Sequence, residues 1–231
     1  MKYLVVNGDD FGASRGINRG VIEAHTRGIL TSTSLMVHRP CSEEAARLSR
    51  DWPQLGVGLH IDLSGLRETL SGDRPDPEGW RAELFRQLDR FRELTGSLPT
   101  HLDSHRNVHR DPRLLPHFVE LARRYHLPLR EHSPVRYLAK FYGQWDGESH
   151  LEQVSVGSLR RLLETEVGEG FTELSCHPGY VDPGYPSGYS AEREAELRTL
   201  CDPAARAALE ERQIRLINFR DFTNLRALPP A

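Results

Sequence analysis

The chain is poor in cysteine. Cys41, Cys176 and Cys201 are its only three among 231 residues, and no two have the C-x-x-C spacing of a zinc or redox motif. So few scattered thiols exclude a disulfide framework and point to a reducing compartment, the cytoplasm. Cys176 stands beside His177, but Leu174-Ser175 ahead of it reads as a strand end, which makes it a buried, inert thiol. Long apolar runs are missing too. Met1-Lys-Tyr-Leu-Val-Val6 is too short for a signal peptide, and no run approaches the length of a membrane helix, so no membrane partner is expected. Charge of one sign is absent: 30 basic residues face 33 acidic ones, a formal net charge of -3, which argues against a nucleic-acid surface. Arg123-Arg124 and Arg160-Arg161 sit among acids and read as solvated helix faces. Gly8-Asp-Asp-Phe-Gly12 has neither the Lys-Ser/Thr of a phosphate loop nor a dinucleotide fingerprint, and Gly188-Tyr-Ser190 is no nucleophile elbow.

What remains is a soluble globular composition, 38% hydrophobic and 27% charged, at a length that suits one domain over residues 1–231. Short apolar runs alternate with helical patterns. Strands are expected at 3–7, 31–37, 56–61, 101–103, 128–130 (weakly), 171–176 and 214–219. Helices are expected at 16–28, at 42–48 with Ser42 as cap, and at 80–94, 114–125 and 158–167, with one or two more over 191–212 broken near Pro203. Residues 62–79 and 136–152 read as loops over a site. The alternation predicts an α/β fold of parallel strands joined by right-handed crossover helices, either a closed barrel or a doubly wound sheet.

The segment His101-Leu-Asp-Ser-His105-Arg-Asn-Val-His109 packs three histidines and a carboxylate into nine residues. On a strand end, His101, Asp103 and His105 share a face. Imidazoles and a carboxylate together suit a divalent metal or acid–base chemistry. Other polar residues fall at equivalent places: Asp9-Asp10 after the first strand, His60 ending the third, Arg130 ending the fifth and His177 after the sixth. In parallel α/β folds the strand C-termini meet on one face, where these groups converge. Two adjacent carboxylates at a buried strand end need a cation or a shared proton; one can bind metal while its neighbour accepts a proton. An Asp and two His from three strands form a ligand set for Zn²⁺ or a similar ion, with positions open to water and substrate. His177, in Cys-His-Pro-Gly-Tyr180, is held by a rigid turn and suits a general acid. His109 reads as a partner behind the ligands or a substrate contact, and His101 as structural.

Several pieces together resemble the YdjC-like carbohydrate deacetylases, the group of chitooligosaccharide and hopanoid-type deacetylases. They are Val6-Asn-Gly-Asp-Asp-Phe-Gly12, Gly28-Ile-Leu-Thr-Ser-Thr-Ser34, Gly58-Leu-His60, Thr100-His-Leu-Asp-Ser-His105 with Val108-His109, and Cys176-His-Pro-Gly179; Tyr189 through Arg193-Glu-Ala-Glu-Leu197 and Asn218-Phe-Arg-Asp221 also fit. The resemblance implies a distorted TIM-like (β/α) barrel and a hydrolase that removes an N-acetyl group from an amino sugar or oligosaccharide. It also implies a divalent metal, with Asp10, His60 and His105 at the ligand positions; two imidazoles favour Zn²⁺, while the resemblance admits Mg²⁺. On this reading Asp9 is the general base and His177 the general acid, Arg130 orients a carboxylate, Asp103 orients a histidine and His109 supports the site. Arg106 and Asn107 stand where the group carries imidazoles, on the substrate side. The expected partner is an N-acetylated sugar, with a homodimer open as the assembly. Another metal-dependent hydrolase on the same scaffold, an esterase or phosphoesterase, and a non-catalytic sugar-binding protein are the alternatives.

Overall fold

The computed structural model describes residues 1–66 and 76–227. In chain order the strands are β1 (Lys2–Phe11), β2 (Ser32–Leu35), β3 (Gly56–Ile61), β4 (Leu102–Ser104), β5 (Arg136–Leu138), β6 (Gln144–Trp145), β7 (Glu148–Ser149), β8 (Gly170–Cys176) and β9 (Ile214–Leu216). The α-helices are α1 (Arg15–Arg27), α2 (Ser42–Asp51), α3 (Pro77–Thr95), α4 (Leu115–Tyr125), α5 (Val156–Thr165), α6 (Ala191–Cys201), α7 (Pro203–Glu211) and α8 (Phe219–Ala227). None of these helices is long and apolar enough to cross a membrane.

A curled half-barrel of parallel strands runs β4-β3-β2-β1-β8-β5, with β9 beside the N-terminal half of β1. β1 is the axis. Its whole length to Gly8 pairs with β8, while its other edge is shared between β9, at Lys2–Leu4, and β2, from Asn7 onward. Alternation sorts its side chains. Leu4 and Val6 join the large core under the helices, whereas Val5 faces inward and packs with Val135, Ile217, Phe219 and Phe222 at the foot of the half-barrel. Further up, the inward positions are polar: Asn7 and Asp9 on β1, Ser34 on β2, His60 on β3, Asp103 on β4 and Glu173 on β8, all buried. The lower part of the barrel is therefore apolar and its upper, C-terminal part is polar.

Most helix ends follow from their sequence signals. Ser14 caps α1 by accepting from the Ile17 amide, and Gly28 follows its last turn. Asp76 caps α3, which buries Trp80, Leu84, Leu88 and Phe91 along one stripe and ends at Gly96 in the left-handed region. Each such side chain contributes about 1.5–3 kcal/mol on burial. Pro203 splits the 191–212 region into α6 and α7, with Asp202 capping the second.

Three expectations are corrected. The fifth strand is not at 128–130; that segment makes a single parallel bridge, Leu102 to Leu129, and the strand forms later, at β5. Pro128 has no amide to donate and Glu131 has φ 62°, so an extended run cannot persist there. The last strand stops at Leu216, because Phe219 starts α8 and Asn218 caps its first turn through the Arg220 and Asp221 amides. Ser42 lies inside α2 rather than capping it, and its hydroxyl bonds to the Met36 carbonyl. Of the loop expected at 62–79, residues 67–75 lie outside the described residues. The loop expected at 136–152 contains β5 and the β6–β7 hairpin.

Candidate functional site

Strict alternation would send Asp9 and Asp10 to opposite faces of β1. A register shift between Gly8 and Phe11 and a φ of 68° at Asp10 prevent this. Such a bulge re-aims a side chain at a strand end. Both carboxylates consequently line one cavity of about 530 Å³, together with His60, His105, Arg106 and His177. A larger cleft of about 840 Å³ beside α4 and α8 has no carboxylate in its lining.

Asp10, His60 and His105 form a compact triad, with one ligand atom from each residue lying within 4.8 Å of the others. Asp10 Oδ1 is 3.4 Å from His60 Nε2 and 3.2 Å from His105 Nδ1. This oxygen is buried and has no hydrogen-bond partner, whereas Oδ2 accepts from Arg193 at 2.5 Å. Burial pushes the Asp10 carboxyl up, but Arg193 and the two imidazoles hold it well below the usual range. Burial also opposes charge on His60, yet Asp103 and Asp10 raise its pKa well above the ordinary value. Such surroundings stabilise positive charge beside His60 Nε2. An orphaned carboxylate oxygen facing two ring nitrogens is a donor set that fits a divalent cation. Asp103 Oδ1 takes His60 Nδ1 at 2.7 Å, so the ring presents Nε2 to the triad.

Behind the triad Arg130 holds three carboxylates. Its Nη1 and Nη2 donate to Asp9 Oδ2 and Oδ1, each at 2.8 Å, and Nη2 also lies 2.8 Å from Asp103 and 2.6 Å from Glu173. Asn7 donates to Asp9 Oδ1 at 2.8 Å. Burial raises the Asp9 pKa, but Arg130 overcomes it and leaves the carboxyl below its ordinary value. Glu173 loses the same contest: burial pushes it up to about 7 against the pull of Arg130.

This last shift has a measurable sign. Between the ordinary glutamate value and about 7, the folded protein keeps a proton that the unfolded chain has released. Folding stability therefore falls as pH rises through that window. Asp9 acts in the other direction and elsewhere: its contribution is present above the ordinary aspartate value and is lost as pH falls toward its depressed folded value. Glu173→Gln is expected to flatten the stability slope between about pH 5 and pH 7, read as urea midpoints at the two pH values. Identical slopes in the two proteins would contradict the assignment of this proton to Glu173.

His177 follows β8 on the Cys-His-Pro-Gly turn. That turn lies against α1, where a Cβ on Gly20 would sit 2.5 Å from Gly179 Cα; only glycine permits this approach. His177 Nε2 is 4.0 Å from Asp9 Oδ2 and Nδ1 is 3.9 Å from Glu196 Oε1. Its backbone amide donates to Glu196, which also accepts from the Tyr189 hydroxyl. Burial lowers His177 to about 4 and raises Glu196 to about 8.

The remaining histidines divide. His101 is buried, stacks on Phe219 at 3.9 Å and fills the space over Gly58, where a Cβ would meet its ring at 2.3 Å. His109 is buried and bonds to Ser104 Oγ at 2.6 Å and Glu131 at 3.1 Å, so it braces the loop after β4. Arg106 and Asn107 have φ of 56° and 51°, adjacent left-handed residues on the cavity wall, and Arg106 is exposed. Cys176 is fully buried with its pKa well above the ordinary thiol value, mainly through desolvation. Arg193, Glu173 and Glu196 escaped sequence reasoning as site residues. Glu173 left a trace, a charge in the strand Phe171-Thr-Glu-Leu174; Arg193 and Glu196 lie in the Arg193-Glu-Ala-Glu-Leu197 segment that fits the resemblance, which assigned them no role.

The YdjC-like protein family matches residues 3–211. The chain belongs to this family. A relative from Geobacillus stearothermophilus, named carbohydrate deacetylase, is 38% identical over 97% of this YdjC-like chain and 99% of its own length. One from Serratia marcescens, named chitooligosaccharide deacetylase, is 35% identical over 96% and 99%. Among solved structures, an Enterococcus faecalis V583 protein described as a cellobiose-phosphate cleavage protein superposes with a TM-score of 0.82, at 29% identity, over 96% of this YdjC-like chain and 98% of its own.

Proposed function

We propose that the protein is a metal-dependent carbohydrate N-deacetylase, a hydrolase that cleaves the acetamide of an N-acetylated amino sugar or oligosaccharide. The observation that carries this reading is the unpartnered Asp10 Oδ1 facing His60 and His105 in the cavity that also holds Asp9 and His177. The names of its relatives agree with it.

Asp10 Oδ1, His60 Nε2 and His105 Nδ1 would hold the metal. When bound, a divalent cation there supplies Lewis acidity to the acetyl carbonyl and acidifies water. Asp9 is the base. Its Oδ1 already accepts from Asn7 and Arg130, whereas Oδ2 accepts only from Arg130 and keeps a lone pair for a water proton. The depressed pKa keeps Asp9 ionised at neutral pH, ready to accept. His177 is the acid that protonates the departing amine. Burial leaves its ring uncharged at neutral pH, and its Nε2 sits 4.0 Å from Asp9 Oδ2, so the proton that Asp9 takes from water passes by way of His177 to the amine. Arg106, exposed on the wall and in no ion pair among the described residues, contacts the substrate.

The test is acetate release from N-acetylated mono- and oligosaccharides, before and after chelation, with single divalent metals added back. Equal amounts of acetate and free amine are expected, lost on chelation and restored by metal. Turnover of aryl esters or phosphate esters without any from N-acetyl sugars would overturn the reading, as would full activity in the chelated protein.

A further inference from the structure

A second groove, of about 580 Å³, shares Ala139, Tyr142 and Gln144 with the catalytic cavity and continues from it toward α5. Its wall includes Trp145, on the β6–β7 hairpin. Nothing in the hairpin is buried: Gln144 is half-buried, and residues 145–149 are exposed. Its order comes from the turn. Asp146 and Gly147 have φ of 53° and 79°, the Asp-Gly pair that a two-residue hairpin requires, and the His150 amide ties the base to the Gly143 carbonyl at 2.7 Å. The tip carries an indole that no core needs. His150 stacks on the Trp145 ring at 3.6 Å and 3°, yet 44% of the residue stays exposed.

A second aromatic ring stands where the two cavities join. Tyr142 is 39% exposed, stacks on Tyr189 at 4.7 Å and 10°, and meets His177 edge-on at 5.7 Å. Polar groups accompany the rings. The Gln153 side chain bonds to no protein group among the described residues and lines the groove, as does Arg161, which makes one 3.3 Å contact to Ser158. Flat, rigidly held rings beside free amide and guanidinium donors suit a pyranose, which has an apolar C–H face and a rim of hydroxyls.

Resting on the deacetylase reading above, we propose that this groove binds the sugar unit next to the one being deacetylated, with Tyr142 at the junction and Trp145 as the outer platform. On oligosaccharides Trp145 and Gln153 then set the preference for length. The occupant follows from continuity: Tyr142 and Gln144 line both cavities, so a chain leaving the catalytic pocket on that side runs over them to the indole.

The experiment compares wild type, Trp145→Ala and Gln153→Ala on N-acetylglucosamine and its β-1,4-linked di- and trisaccharides. Acetate release and tryptophan fluorescence are both recorded. Trp145→Ala is expected to lower kcat/KM on the di- and trisaccharide by about tenfold or more, mostly through KM, and to leave the monosaccharide within about twofold. Gln153→Ala should show the same length dependence more weakly. The disaccharide should change the fluorescence of wild type but not of Trp145→Ala. Equal losses on all three sugars, or none on any, would overturn the groove assignment. Absence of acetate release from every sugar in wild type would sink the deacetylase reading instead. Fluorescence still judges the groove in that case, because an indole unmoved by the di- and trisaccharide refutes it without reference to turnover.

Discussion

Asp9→Asn is expected to lower turnover by about 10²- to 10⁴-fold while the metal content stays unchanged. The amide is nearly isosteric and lies outside the triad, so Asp10, His60 and His105 keep their positions. Arg130 retains Asp103 and Glu173 as partners, and the fold survives. What disappears is the lone pair on Oδ2 that takes the water proton. His60→Ala and His105→Ala are expected to behave differently, losing metal and activity together, since each removes one of the protein ligand atoms. Metal analysis beside kcat separates the two classes. An Asp9→Asn protein that loses its metal would place Asp9 among the ligands, and an active, metal-replete His60→Ala protein would dismantle the triad.

Arg130→Ala is expected to destabilise the fold by about 3–5 kcal/mol, read as a shift in urea denaturation. The guanidinium is fully buried and is the shared counter-ion of Asp9, Asp103 and Glu173. Removing it strands carboxylates that burial alone would force to take up protons. Arg130→Lys should recover only part of the loss. An ammonium keeps the charge but cannot grip both oxygens of Asp9, so the base loses its orientation and activity stays low even where the fold is restored. A loss below roughly 1 kcal/mol in Arg130→Ala would show that the carboxylates share no buried field.

Much of the architecture was legible in the chain. Apolar runs broken by glycine, and helical periodicity between them, placed most strands and helices within a few residues, because each reflects a local pattern of burial. The strand at 128–130 was misplaced because Pro128 and the left-handed Glu131 end the run, while β5, partly exposed, carries little hydrophobic signal. The end of β9 was overrun because Phe219 is apolar in either structure; its burial against Val5 and Phe222, from α8, decides the matter.

Of the site, the sequence by itself singled out the candidates: Asp9, Asp10, His60, Asp103, His105 and His177, each at or near a strand end, where a parallel sheet gathers its polar groups, and Arg130, which follows a single bridge to β4 rather than a strand. Tertiary structure alone decided how they meet. The bulge at Asp10 overrides the two-residue period and turns adjacent carboxylates into one cavity. The curl of the sheet brings Arg130 between strands distant in sequence, and α6 delivers Arg193 to Asp10 and Glu196 to His177. No local pattern encodes those meetings, since a helix residue's burial against a remote strand end depends on the path of the whole chain.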